Sequence, residues 1–396
     1  METSEFVVVG GGVAGVCAAY FLASEGREVV LLERDVPAPD CPLSSSGEVA
    51  KVFRCAYGRD RAMTRLCMAS LRQWRRFQEE SGSTLVEPSG MVVFGADRPE
   101  TLAKWRDPGL ARFARESTET MRAEGLEHEL LDKSQLIERF PQIRKNDGYD
   151  HAILDKTAGL IYAQRAVRTI ARLAIERGAE IRPHVTVEDV ARRGQDVEML
   201  ATSKGNIKPK RAVVFAAGHR NATLVPELRK KTRVTRQRVL YLKPEKAGLY
   251  DSEHFPAVVS LNEWRYVLPI HGAGITKVAD DDKYHPDRMV DLGDSTEDVD
   301  VDPGFSEDAR SFLRDFVPGL ADAEEVDYRT CCYTNTREER YLIYKRGNAV
   351  VLSACSGHGF KNGPMTGMLG AALASGRGES HPLYSDDFRY ENAGDV

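Results

Sequence analysis

The opening of this chain constrains its fold more than any other stretch: residues 6–35 read FVVVGGGVAGVCAAYFLASEGREVVLLERD. Phe6 to Val9 is a short apolar run of the kind that forms a strand buried on both faces. Gly10, Gly12 and Gly15 follow in GxGxxG spacing. Residues 13–25 then read as a helix of small and apolar residues, and Arg27 to Leu32 is a second apolar run. This is a βαβ unit. Its first glycine permits the tight turn, its second lets a pyrophosphate approach the backbone, and its third lets helix and strand pack closely. The helix N-terminus offers unpaired N–H groups and a partial positive charge to phosphates. Glu33 ends the second run, where an acid can accept hydrogen bonds from a ribose hydroxyl. That acid disfavours a 2′-phosphate, so the motif reads as a dinucleotide site for FAD or NAD.

A length of 396 residues suggests two domains, or one large domain with an insertion. The net charge of −5 supplies no global basic field for nucleic acid. The seven cysteines show no CxxC or Cys/His spacing, which argues against a disulfide scaffold and against a metal site. There is no basic-then-apolar leader, no run of about 20 apolar residues, and the last four residues are AGDV. The expectation is a soluble cytoplasmic protein without membrane or nucleic-acid partners.

Residues 61–79 place Met63, Leu66, Cys67, Leu71, Trp74 and Phe77 at helical spacing, which predicts a core-facing stripe. MVVFG at 91–95 reads as a strand, 100–140 as helical, and 165–177 as an amphipathic helix stopped by Gly178. EIRPHVTVEDV and AVVFAAG follow as strand-like runs, the second ending in Ala216, Ala217 and Gly218, where a backbone can approach a ligand. The basic tract ELRKKTRVTRQRVLYLKP alternates like a strand with one solvated face. Residues 291–308 hold eight acids without EF-hand spacing and read as an exposed connection; 309–316 reads as a short helix. NAVVLSA at 348–354 is a buried-strand pattern leading into CSGHGFKNGPMTGMLGAALASG, a glycine-rich turn and a small-residue helix. Pyrophosphate-binding elements at both ends predict an α/β fold: a Rossmann-like domain interrupted by an inserted substrate domain.

Four stretches carry a resemblance: VVVGGGVAGVCAAYFLASEGREVVLLER, SSSGEVAKVFRCAYG, RTCCYTNT and ACSGHGFKNGP. On these the chain resembles the monomeric sarcosine oxidase and N-methyltryptophan oxidase group of the D-amino-acid-oxidase-like flavoproteins. The resemblance implies a FAD domain from residues 1–85, 150–225 and 325–396. It implies a substrate domain from 86–149 and 226–324, built on a large mixed sheet. It implies FAD contacts from Gly10, Gly12, Val13, Ala14, Gly15, Glu33, Arg34, Ser45, Ser46, Val187, Ala217 and Gly218. Further contacts are implied from the turn Gly357, His358, Gly359, Phe360 and Lys361.

Adjacent thiols stand at Cys331 and Cys332. In the family a cysteine in this context is bonded to the flavin ring, and Cys331 takes that position; noncovalent FAD beside two packed thiols, and a disulfide between the two neighbours, are the alternatives. Lys277 matches a lysine that promotes reaction with oxygen, where a fixed cation stabilises the first reduced oxygen species. Tyr266 and Tyr333 match residues lining the substrate pocket. Lys361 and Arg54 match cations that bind the substrate carboxylate, and Lys51 falls near a second such position. Asp281 stands where relatives that oxidise sarcosine have a histidine, with His285 four residues on. A carboxylate there either favours a substrate with an extra cationic or polyhydroxy group or points to solvent.

The function implied is a monomeric FAD-dependent amine oxidase of an N-substituted amino acid, with O2 reduced to H2O2. Alternatives are oxidation of a cyclic imino acid, oxidation of a fructosyl amino acid, and a flavin dehydrogenase with another acceptor.

Overall fold

A computed structural model describes residues 1–38, 45–282, 286–290, 303–353 and 355–396. Cys41, His285 and residues 291–302 of the acidic run lie outside the described residues.

The opening βαβ unit is the centre of an eight-stranded sheet. Glu2–Val9 pairs in parallel with Val29–Leu32 on one side and with Gly205–Phe215 on the other. Glu180–Arg182 extends the parallel set beyond Val29–Leu32, and Ala349–Ser353 extends it beyond Gly205–Phe215. The helix Val13–Ser24 buries nearly its whole surface, which is why its sequence is apolar all round rather than amphipathic. Its neighbour is the late helix Gly363–Ala374. A Cβ at Gly367 would lie 2.4 Å from the Cys17 side chain, so the two helices meet at a distance only glycine allows. Both termini of the sequence therefore build one layer. The amphipathic helix Ala163–Glu176 and the longer Arg61–Ser81 complete it, and their apolar stripes enter the same core. Arg61–Ser81 is capped by the Asp60 side chain, which accepts from the Met63 N–H, and closed by Gly82 at φ 66°.

The second sheet has nine strands, in the order Met289–Val290, Arg233–Lys243, Thr276–Asp280, Arg265–Val267, Ala257–Ser260, Met91–Gly95, His151–Asp155 and His128–Asp132, with Glu324–Asn335 also paired to Arg233–Lys243. It is mixed, since Ala257–Ser260 runs parallel to Met91–Gly95 and the other pairs are antiparallel. One face packs on the helix Pro303–Phe316 through Leu240, Leu242, Val258, Val267 and Val278. Two strands, 151–155 and 324–335, belong to this sheet, whereas the predicted ranges assign both to the cofactor domain. Residues 100–140 include the strand His128–Asp132 among short helices. The basic tract forms Arg233–Lys243 as predicted, but its arginines are not on a solvated face. Arg238 is half-buried, its Nε donating to Asp280 Oδ2 at 2.9 Å and its guanidinium lying 4.6 Å from the Phe305 ring centre. A strand inside a sheet covered on both sides has no solvated face to offer.

Candidate active site

A cavity of about 670 Å³ begins at the glycine turn of the first sheet and ends against the second. At its first end the backbone is held for close approach. Gly10 has φ +106°, and a Cβ there would lie 2.6 Å from the Ala216 carbonyl oxygen. A Cβ at Gly15 would lie 1.9 Å from the Gly10 carbonyl oxygen. Gly10 and Gly12, with Val13 and Ala14, line the cavity; Gly15 stands behind them and closes the helix onto the turn. The N-terminus of Val13–Ser24 has no side-chain cap of its own. Instead Val13 N–H donates to Ser46 Oγ at 3.2 Å. Glu33 Oε2 accepts from Gly11 N–H at 2.5 Å and Oε1 from Asp35 N–H at 2.9 Å, which fixes the acid at the rim. Arg34, Ser45, Val187, Ala217 and Gly218 complete this end. Asn221 ties the strand ends together, donating to the Leu352 carbonyl at 2.8 Å and accepting from Ala217 N–H at 2.8 Å. Burial, then Arg220 and Arg34, hold the nearby His219 down at about 4, so it is neutral there. A backbone cradle shaped by glycine, a helix N-terminus at the cavity and a fixed ribose-side acid fit a dinucleotide such as FAD.

The other end carries cations and aromatic rings. Arg54 lies with its guanidinium 4.0 Å from the Tyr57 ring centre and donates to the Ala56 carbonyl. Lys361 is buried and its Nζ donates to Tyr57 Oη at 3.3 Å. Trp74 fixes the turn from below: its indole N–H donates to the Lys361 carbonyl at 2.8 Å and its ring stacks on Phe360. Gly357, His358 and Gly359 line the cavity beside them, and Tyr57 Oη lies 3.1 Å from His358 Nδ1. Tyr266, Tyr333 and Asp281 line it from the second sheet, and Lys51 from the segment that joins the two. Burial pushes the phenols of Tyr57, Tyr266 and Tyr333 well above 10, so all three are neutral hydrogen-bonding groups.

Two predicted residues stand back from the cavity. Lys277 is 0% exposed and its ammonium pairs with Glu48 Oε2. Glu48 Oε1 accepts from Lys51, so one carboxylate joins a core cation to a cavity cation. Burial opposes ionisation of Glu48, yet the charges of Lys277 and Lys51 overcome it and hold the carboxyl at about 2. Cys331 is likewise buried, and burial pushes its thiol well above 9. Strand register nonetheless puts both on the cavity side of the second sheet. Cys331 pairs with Gln237, Tyr333 with Thr235 and Tyr241 with Lys277, and all six alternate onto one face. Cys332 pairs with Arg236 on the opposite face, yet it also lines the cavity, and its carbonyl accepts from Ser45 Oγ at 2.9 Å.

Sequence reasoning missed Glu48, Tyr57 and Trp264. The spacing of Glu48 to Lys51 on one turn was visible; its pairing with Lys277, 229 residues away, had no local signal. Tyr57 stands inside KVFRCAYG beside Arg54. Trp264 lines the cavity from a tight turn at φ +50°.

A model of the FAD dependent oxidoreductase family, DAO, matches residues 5–373. The chain is 30% identical over 379 residues to peroxisomal sarcosine oxidase of Mus musculus, covering 92% of this chain and 90% of that one. It is 26% identical over 387 residues to monomeric sarcosine oxidase of Bacillus sp. (strain NS-129), covering 96% and 95%. Among solved structures, NikD, an unusual amino acid oxidase essential for nikkomycin biosynthesis, matches with a TM-score of 0.80 at 20% identity over 100% of this chain and 98% of that one.

Proposed function

This chain belongs to the family of FAD dependent oxidoreductases of the DAO type, and from that premise we propose that it oxidises an N-substituted amino acid at the carbon next to its secondary amine. The observation that carries this reading is the continuity of the cavity. A dinucleotide cradle at one end leads without a break to the fixed cations Arg54 and Lys361 and to a neutral phenol wall at the other.

Bound FAD supplies the hydride acceptor and returns the electrons to O2 as H2O2. The chain's residues prepare the substrate. Arg54 and Lys361 hold its carboxylate, the guanidinium offering a two-pronged donor set and the ammonium a point charge. The same cations lower the pKa of the substrate amine, so it reaches the neutral state from which a hydride can leave. Tyr266 and Tyr333, kept un-ionised by burial, orient it without adding charge. Glu33, Arg34, Ser46, Ala217 and the turn 357–361 hold the cofactor, and Cys331 is its proposed covalent anchor.

We propose a cofactor unit on the first sheet and a substrate unit on the second, with strands 151–155 and 324–335 counted in the second. The six described cysteines are all unpaired, which supports a reducing, cytoplasmic compartment. Among the described residues no helix is long and apolar enough to cross a membrane. The enzyme acts as a monomer in this reading.

The test is an anaerobic screen of N-methyl, cyclic and glycated amino acids, following loss of flavin absorbance. Bleaching by an N-methyl amino acid, and peroxide release under air, are the expected results; no bleaching by any secondary amine rejects the proposal. A dehydrogenase with another acceptor is the second reading. It is favoured by the pairing of Lys277 with Glu48, which neutralises the cation assigned to oxygen, and rapid dye reduction without peroxide would select it.

A further inference from the structure

Building on that reading, we infer that Asp155 is a positioning residue for the substrate carboxylate: it clamps the backbone just after Arg54 and so fixes the aim of that guanidinium. Arg54 follows a short strand. Lys51–Phe53 pairs with Gly159–Ile161, and the ladder ends where Phe53 stands opposite Gly159. The N–H groups of Cys55 and Ala56 go instead to one oxygen of Asp155, Cys55 donating to Oδ2 at 2.8 Å and Ala56 to the same atom at 2.9 Å. Arg54 is thus held on both sides, by the ladder before it and by a carboxylate after it. The clamp reaches the side chain. Arg54 Nη1 donates to the Ala56 carbonyl, and its guanidinium lies 4.0 Å from the ring centre of Tyr57, the next residue along.

Asp155 is more than a turn residue. It ends the strand His151–Asp155 of the second sheet and is 0% exposed. Its Oδ1 accepts from Thr157 N–H at 2.9 Å and from Thr157 Oγ1 at 2.6 Å, a local turn that an asparagine or serine would also close. That turn occupies one oxygen. The other reaches residues 55 and 56, about a hundred positions away in the chain. Burying a carboxylate is costly, and a full set of donors is what offsets it. An amide could not serve both ends, because it has a single acceptor oxygen and its NH2 would face an N–H. Register places Asp155 opposite Met91, which lines the cavity, so the clamp stands on the cavity face of the second sheet. The sheet that supplies Tyr266 and Tyr333 therefore also sets where Arg54 stands.

The test titrates the oxidised flavin's absorbance in the FAD-loaded enzyme with butanoate and with butanamide. Butanoate is sarcosine with carbon in place of nitrogen, and the amide removes its charge. Wild type is expected to bind butanoate at least about 10-fold more tightly than the amide, and Asp155→Asn should cut that ratio by about 10-fold, the range for a hydrogen bond to a charged group that has slipped out of line. With an N-methyl amino acid that bleaches the flavin, the variant should raise KM by a similar factor and keep kcat within about 2-fold, the signature of lost binding rather than lost chemistry. Asp155→Glu, which keeps both oxygens, should restore part of the butanoate preference. Thr157→Val, which removes one donor and leaves the clamp, should shift the preference in the same direction by about 2- to 3-fold. It carries the test if Asp155→Asn does not load flavin, and no shift there then overturns the inference. So does equal binding of the two probes by wild type, a preference that Asp155→Asn leaves intact, or a fall in kcat at unchanged KM. If no secondary amine bleaches the wild-type flavin while the butanoate preference is present and Asp155→Asn abolishes it, the reaction class is wrong and the positioning role stands.

Discussion

An ammonium at 0% exposure, as at Lys277, persists in a protein interior only with an anion against it. Glu48 is that anion, and it serves Lys51 with its other oxygen. Burial works to raise its carboxyl pKa, but the two lysines hold it at about 2, below the ordinary 4.5. A carboxyl lower in the folded than in the unfolded state stabilises the fold above the unfolded value and loses that contribution as pH falls towards the folded one. The Glu48 contribution is therefore whole above about pH 4.5 and is lost towards pH 2. Glu48→Gln should lower stability at neutral pH by about 3–5 kcal/mol, the cost of leaving buried charge uncompensated. It should also flatten the acid side of the stability profile. Thermal unfolding of both proteins at pH 7 and at pH 4 checks this, and a variant with an unchanged acid slope would show that the pair is not what the acid limb reports. Lys277 was legible as a special lysine from its motif. Glu48 was not, because nothing local marks a partner brought in from the other end of the fold.

At the scale of elements, the two adjacent thiols are separated by the two-residue period of a strand. Glu324–Asn335 lies against Arg233–Lys243 in a register that puts Cys331 opposite Gln237 and Cys332 opposite Arg236, on different faces of the sheet. Only the first faces the same way as Tyr333, Tyr241 and Lys277. Acid precipitation of the wild-type holoenzyme should leave yellow colour in the pellet. Cys331→Ser should release it to the supernatant and Cys332→Ser should retain it. Colour lost from Cys332→Ser instead would reverse the assignment of faces. The opening βαβ unit, the stripe of Arg61–Ser81 and the strand Ala349–Ser353 could be read directly, since each is specified by its own local pattern. The order of the second sheet could not. It joins residues 91–95 to 257–260 and 233–243 to 324–335, and pairings that distant leave no period in the sequence. The same non-locality misplaced the arginines of 233–243, because alternation announces a strand but not what will cover its second face.

For the whole molecule, the cavity is where the two sheets are joined, and its lining runs from Val9 near one terminus to Phe388 near the other. A ligand that fills it links segments the chain connects only through long excursions, so its binding free energy becomes folding free energy. The glycine turn Gly10–Gly15 implies that much of this comes through the pyrophosphate, since that is what the cradle's backbone and helix N-terminus are shaped to meet. The Cys331→Ser protein, stripped of flavin, allows the measurement. Its unfolding midpoint should rise with added FAD as mass action requires, by about 2.7 kcal/mol of stabilisation at 100 times Kd. Riboflavin, which carries the ring without the phosphates, should give far less at the same concentration. Equal stabilisation by the two would place the binding energy at the end of the cavity that Lys361 and Tyr333 line, and would leave the glycine turn as a packing device between a strand and a helix.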